Sequence, residues 1–153
     1  MLIILLWTIV LLYSFHFAGH LHNLISNVPN WSSGTIEDIN RYNNFYHKSG
    51  NAQFFAPIIF ATIVVCLITL FFVRKTGGLF CNLVLADLII AVGILIAVLT
   101  IFRPMNTYFA AKQYDAVVLK SMVNKWVLYN YIRIVFVLIG LALSIRAMNS
   151  CTS

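Results

Sequence analysis

Residues 54–73 read FFAPIIFATIVVCLITLFFV, residues 74–78 read RKTGG, and residues 79–102 read LFCNLVLADLIIAVGILIAVLTIF. Each apolar run is close to the roughly 20 residues that a helix needs to cross a hydrocarbon layer of about 30 Å. A spanning segment must satisfy its own backbone hydrogen bonds, so both runs are predicted to be helices. The short polar turn between them predicts that the two helices are antiparallel neighbours.

Two further apolar runs cover about residues 2–19 and 126–145. The four runs together predict an all-α fold, an integral membrane four-helix bundle that forms a single transmembrane domain over residues 1–153. The first run lacks a basic start and is longer than the apolar part of a signal peptide. We therefore expect a retained helix at this position.

The two long connections are predicted to contain short helices. A long polar loop over residues 20–53 separates the first and second spanning helices, and Thr35 can cap a short helix from about Glu37 to His47 within it. The third connection, residues 104–121, is predicted to hold an interfacial helix over Phe109–Lys120. These two connections lie at one end of the bundle, and the chain termini and the short turn lie at the other.

The composition supports a membrane protein and disfavours two other classes. Hydrophobic residues make up 61% of the chain and charged residues 9%, against about 25% charged residues in a typical soluble domain. The lipid bilayer is therefore the expected partner of the apolar surface. Basic residues are scattered singly, which argues against nucleic-acid binding. The three cysteines form no Cys-x-x-Cys pair, which argues against a thiol–disulfide relay.

The charges near the membrane give a prediction of orientation. Arg74, Lys75 and Arg146 flank the short turn and the last helix. Basic residues next to spanning helices favour the cytoplasmic side, and long loops count for less. Both termini are therefore predicted to be cytoplasmic.

Two charged residues fall inside the predicted spans, where charges are candidates for function. Asp87 lies about nine residues into the third helix, and Arg133 lies about eight residues into the fourth from the opposite side. At 1.5 Å per residue both reach a depth of roughly 12–14 Å. A contact between them is predicted. It would be either a structural ion pair or the charged floor of a pocket.

Histidines gather at the end of the first helix. His16 and His20 share a helix face because they are four residues apart, and His22 follows. Imidazoles at this spacing can bind a metal or haem, and a single histidine can act as a general acid or base near neutral pH. A plain interfacial role is the alternative for all three. His47, in the long loop, is expected to be exposed.

The fourth helix carries the most organised polar pattern. Trp126, Asn130 and Arg133 stand at positions i, i+4 and i+7, so they share one face. An asparagine in lipid should point to the bundle interior. The face is either a packing seam or a pair of donors for a carbonyl or phenolate oxygen.

Arg103-Pro104-Met105-Asn106, followed by Trp126-x-x-x-Asn130-x-x-Arg133, resembles the second half of the anthrone oxygenase-like family. The segment Asn27-Val-Pro-Asn-Trp31 is similar to a bacterial branch of the same group. The resemblance implies a four-helix membrane protein. Some fungal relatives are similar to enzymes that oxidise polyketide anthrones with dioxygen and no obvious cofactor, and an oxygenase or oxidase activity is the corresponding expectation.

The residues together predict a polar pocket in the half of the bundle nearest the long loops. The pocket would take a lipophilic small molecule with a polar head, such as a quinone, polyphenol or lipid, and the sequence identifies no cofactor. His16 and His20 would act as general acid or base, while Arg133 and Asn130 would stabilise an oxyanion. The remaining lining is predicted to come from Tyr13, Asn106 and Trp126, with Asp87 beneath. Two alternatives stay open: an accessory subunit bound to other membrane subunits, and a metal or haem carrier using His16, His20 and His22.

Overall fold

The computed structural model describes residues 1–46, 51–75, 77–111 and 114–152, with the backbone alone at residues 51, 52 and 152. The described residues form helices and contain no strand. The α-helices are α1 (Leu2–His22), α2 (Ile36–Phe45), α3 (Asn51–Val73), α4 (Gly78–Ala97), α5 (Arg103–Ala110) and α6 (Ala116–Thr152). A π-helical turn (Asn23–Asn27) and a 3-10 turn (Val28–Asn30) extend α1, and a second π-helical turn (Val98–Phe102) joins α4 to α5.

Four helical segments are long and apolar enough to cross a membrane. They run from Leu2 to Asn30, Gln53 to Val73, Gly78 to Ala110 and Ala116 to Cys151. In the bundle, α1 packs against α3 and α6, and α4 packs against the same two helices. The prediction of an all-α, membrane-spanning four-helix bundle is confirmed.

The two ends of the bundle differ in what they contain. The turn end is the apolar cluster Leu6, Val73, Leu83, Val84 and Ala147. Gly77 and Gly78 adopt positive φ angles of 61° and 70° beside it, a conformation that glycine reaches without strain. The loop end is the aromatic-rich cluster Val28, Trp31, Ile39, Phe102, Phe109, Leu119, Val123 and Trp126. Both long connections therefore pack at the same end, as predicted.

The short helix in the first long connection begins where Thr35 predicts. The Asp38 backbone N–H donates to Thr35 Oγ1 at 3.2 Å, and the Thr35 hydroxyl donates to the Asp38 carboxylate at 2.9 Å. Hydrogen bonds from the Ser33 and Thr35 hydroxyls lower the pKa of Asp38. The helix runs over Ile36–Phe45, and His47 lies outside the described residues.

The predicted interfacial helix over Phe109–Lys120 is wrong. The third spanning segment does not end at Arg103 and Pro104 but continues to Ala110, because the missing N–H of a proline is tolerated in the first turn of a helix. Asp115 then interrupts the predicted segment. Its carboxylate accepts from the N–H groups of Val117 and Val118 at 2.9 and 3.0 Å and so caps the start of α6.

Candidate functional site

A cavity of about 350 Å³ lies at the loop end of the bundle. Its wall is built from all four spanning segments and from α2, and most of its side chains are aromatic or aliphatic, with a few polar groups among them. The lining residues are His16, Asn23, Tyr42, Asn43, Tyr46, Phe55, Ala56, Ile59, Phe60, Leu95, Val98, Leu99, Phe102, Asn106, Phe109, Trp126 and Arg133. Four predicted residues, His16, Asn106, Trp126 and Arg133, are among them. Tyr13, His20, Asp87 and Asn130 are not.

A chain of hydrogen bonds orders the polar face of α6. Trp126 Nε1 donates to Asn106 Oδ1 at 3.0 Å, which ties α5 to α6. Asn130 Nδ2 donates to the Trp126 carbonyl at 2.8 Å, and Asn130 Oδ1 accepts from the Arg133 guanidinium. Because both ends of its amide are used within α6, buried Asn130 positions Arg133 and does not itself face the cavity.

Aromatic rings and an amide contact the guanidinium of Arg133. Its guanidinium carbon lies 4.1 Å from the centre of the Phe102 ring and 6.0 Å from that of Phe55. Among the described residues, the carboxylates that form salt bridges are those of Glu37 and Asp38, and both pair with another arginine. Cation–π contacts stabilise a partly desolvated guanidinium, yet they leave its donors free to bind an oxygen.

His16 and His20 form a buried pair on α1. They are 3% and 1% exposed, and their ring centres are 4.7 Å apart. The His20 ring stacks on Phe55 with centres 3.9 Å apart and planes at 5°. Gly19 allows this approach of α3, because a Cβ there would come within 2.6 Å of the Phe54 ring. His16 reaches the cavity, and His20 lies behind it with neither ring nitrogen hydrogen-bonded to the described protein atoms.

The third histidine of the predicted metal set does not join the pair. His22 is exposed, whereas His16 and His20 are buried. The described residues hold no group of three or more His, Cys, Asp or Glu side chains that could bind a metal. The structure therefore brings together two of the three histidines.

Asp87 and Tyr13 form a separate polar centre. The Tyr13 hydroxyl donates to the Asp87 main-chain carbonyl at 2.7 Å, and the buried Asp87 carboxylate has no hydrogen-bond partner among the described residues. The predicted contact between Asp87 and Arg133 is wrong, since no salt bridge joins them. The predicted depth of Arg133 assumes a helix that starts at Trp126, whereas α6 begins at Ala116.

Several residues that line the cavity cannot be recognised as site residues from the sequence. Asn23 and Phe102 belong to the two π-helical turns, and turns of this kind are frequent at functional sites. Tyr42 and Asn43 come from α2, which lies over the cavity. Burial raises the pKa of Tyr42 to about 12, so its hydroxyl stays neutral at physiological pH. Polar asparagines and tyrosines of this kind are equally common in solvated loops.

Four apolar helices around a partly polar, aromatic-walled cavity are the features of an integral, multi-pass membrane protein. The chain belongs to the anthrone oxygenase family, whose model matches residues 43–143. The matched range includes Asp87, Asn106, Trp126 and Arg133, and it leaves out His16 and His20. Among curated proteins and solved structures there is no significant match to this chain.

Proposed function

We propose that the chain is an oxygenase that binds a lipophilic phenolic compound of the anthrone type in the loop-end cavity and oxidises it with dioxygen. The observation that carries this proposal is a guanidinium, that of Arg133, on the wall of a largely apolar cavity and without a carboxylate partner among the described residues. Such a group attracts an oxygen that carries negative charge or gains it during a reaction. The family membership supports the same substrate class.

The cavity suits a flat aromatic ligand with polar edges. Its volume of about 350 Å³ is at the lower end of the range for small-molecule sites. Phe55 and Phe102 add aromatic side chains to the wall, while Arg133 and His16 offer the polar contacts. Aromatic rings stack well in offset or edge-on arrangements, so planar polycyclic phenols are the preferred ligands.

The proposed reaction begins with loss of a proton. His16 accepts a proton from the activated CH₂ group, and the electron pair that remains spreads onto the neighbouring carbonyl oxygen. Arg133 stabilises the resulting oxyanion, and Asn130 keeps the guanidinium in place. Dioxygen then oxidises this carbanion: one oxygen atom replaces the two hydrogens of the CH₂ group as a carbonyl, and the other leaves as water.

The test is oxygen uptake by the purified protein in lipid nanodiscs with a dihydroxyanthrone as substrate. Removing one oxyanion donor typically lowers kcat by about 10²–10³, and we expect a loss of that size for Arg133→Met. Arg146→Met is the matched control, because Arg146 is an exposed arginine on the same helix. It should keep the wild-type rate after the uncatalysed oxidation, measured with denatured protein, is subtracted.

Wild-type turnover by Arg133→Met would contradict the proposed mechanism. Oxygen uptake by the wild-type protein no faster than with denatured protein would contradict the oxygenase itself. A non-catalytic accessory subunit would then be the better account, which co-purification with fixed partner subunits would support.

We also infer that both termini are cytoplasmic, since Arg74, Lys75 and Arg146 flank the turn end. The cavity would then lie toward the opposite side of the membrane. Labelling of an introduced cysteine at Ser150 by a membrane-impermeant maleimide in intact cells would contradict this orientation.

A further inference from the structure

The cavity wall between α3 and the α4–α5 segment is made of residues that also face outward. Phe60 is 55% exposed and Leu99 is 50% exposed, yet both line the cavity. Ala56, one helical turn before Phe60, is likewise exposed and lines the cavity. A side chain that touches both the cavity and the outer surface marks a place where only one layer of atoms separates the two.

Both helices that border this wall are irregular at this level. Val98–Phe102 is a π-helical turn, and Leu99 and Phe102 belong to it. On α3, Pro57 stands between Ala56 and Phe60 and removes one backbone N–H from the helix ladder. Irregularities of this kind bend a helix locally, and here both lie beside the cavity on the α3–α4 seam.

At α2 the cavity is covered by side chains that hydrogen bonds and ring contacts hold in place. Tyr42, Asn43 and Tyr46 of α2 lie over it, and Asn43 Nδ2 donates to the Phe109 carbonyl at 2.6 Å and to the Tyr114 hydroxyl at 3.2 Å. The Tyr42 ring also packs against Trp31, with ring centres 5.0 Å apart. A ligand that displaces α2 would have to break these contacts, whereas the side chains of Phe60 and Leu99 in the α3–α4 wall are apolar.

We propose that Ala56, Phe60 and Leu99 form a lateral portal through which the ligand passes directly between the cavity and the hydrocarbon layer of the membrane. The proposal rests on the proposed function, because it assumes that the cavity binds a lipophilic polycyclic phenol. It narrows the substrate class to molecules that dissolve in the bilayer. A sulfonated analogue of the same ring system, which stays in water, would reach the cavity poorly.

The test uses a dihydroxyanthraquinone, the air-stable product type of the proposed reaction, and follows its own fluorescence as it binds to the protein in nanodiscs. Leu99→Trp should lower both the association rate and the dissociation rate by about tenfold, since a blocked portal slows entry and exit alike. Phe60→Ala should raise both rates. Ile96→Trp and Val64→Trp are controls, because both residues are exposed on the same helices and do not line the cavity.

Three outcomes would overturn the portal. The first is binding rates in Leu99→Trp that equal those of the controls. The second is a faster association of the lipophilic probe in Asn43→Ala, which loosens α2, with no effect of Leu99→Trp. The third is no binding of the probe to the wild-type protein, which removes the proposed function as well. Normal portal kinetics without oxygenase turnover would support the portal and contradict the oxygenase, so the two failures are distinguishable.

Discussion

The turn end and the loop end of this bundle are built from the same four helices but follow different rules. The turn end contains aliphatic side chains on regular helices, such as Leu6, Val84 and Ala147. The loop end contains side chains with polar groups inside the bundle, such as His16, Trp126 and Arg133, and two spanning segments become π-helical there. Stability alone explains the turn end. The loop end carries polar groups that a bundle does not need for packing, and this contrast is the reason for assigning function to it.

The boundary between the two ends is occupied by Tyr13. Its ring packs against Gly140 on α6, and its hydroxyl reaches the Asp87 carbonyl on α4. Tyr13 therefore connects three helices below the cavity. Its position separates the Asp87 centre from the residues that line the cavity.

The largest expected effect comes from a comparison of two histidines of α1, buried His16 and exposed His22. General acid–base groups typically contribute about 10²–10⁴ in rate, so we expect His16→Gln to lower turnover of a dihydroxyanthrone by that order. His22→Gln should keep the wild-type rate, because His22 is exposed on the same helix. Oxygen-uptake kinetics measure both, and equal rates in the two variants would remove His16 from the mechanism.

A second prediction concerns the boundary residue Gly140. An added Cβ would come within 2.4 Å of the Tyr13 ring, which is buried and hydrogen-bonded and so cannot move freely. Overpacking of this kind costs about 1–3 kcal/mol, and Gly140→Ala should lower the thermal unfolding temperature in detergent. Gly93→Ala is the control, since nothing lies within 4 Å of its Cβ position. Equal unfolding temperatures for the two variants would show that Tyr13 does not fix this boundary.

A third, smaller effect is expected where α2 covers the cavity. Asn43→Ala removes the hydrogen bonds to the Phe109 carbonyl and the Tyr114 hydroxyl, and the carbonyl keeps the hydrogen bond that Tyr114 donates. The expected cost is about 1 kcal/mol, seen as faster proteolysis within α2 than in the wild-type protein. Asn30→Ala, which loses a hydrogen bond on the exposed surface, should leave the proteolysis rate of α2 unchanged.

The smallest effect is the pH dependence of the α2 cap. Hydrogen bonds from Ser33 and Thr35 hold the pKa of Asp38 below its ordinary value of 3.8. A lowered carboxylate pKa stabilises the folded state above 3.8, and this contribution is lost as the pH falls through the folded-state pKa. Trp31 fluorescence, which reports α2 through the contact with Tyr42, should therefore change at acid pH in the wild-type protein. An unaltered acid transition in Asp38→Asn would contradict the assignment.

The sequence was sufficient for features that depend on local chemistry. Apolar length predicted the four spanning helices, Thr35 predicted the start of α2, and the spacing of Trp126, Asn130 and Arg133 predicted one shared face. Relative depth was not predictable, because Asp115 moved the start of α6 ten residues ahead of Trp126 and separated Arg133 from Asp87. The π-helical turns and the aromatic stacking of His20 on Phe55 depend on tertiary packing, which cannot be predicted from any single residue.

The central claim, that the loop end binds a lipophilic phenol and the turn end does not, can be tested by photolabelling. A dihydroxyanthraquinone carrying an azide is bound in nanodiscs, irradiated, and its attachment sites are found by peptide mass spectrometry. The account predicts saturable labelling of the cavity lining, at Phe55, Phe102, Trp126 or their neighbours in the wall, and loss of this labelling in excess unlabelled probe. Saturable labelling at Leu83 or Val84 of the turn end, or unsaturable labelling spread over all lipid-facing positions, would contradict it.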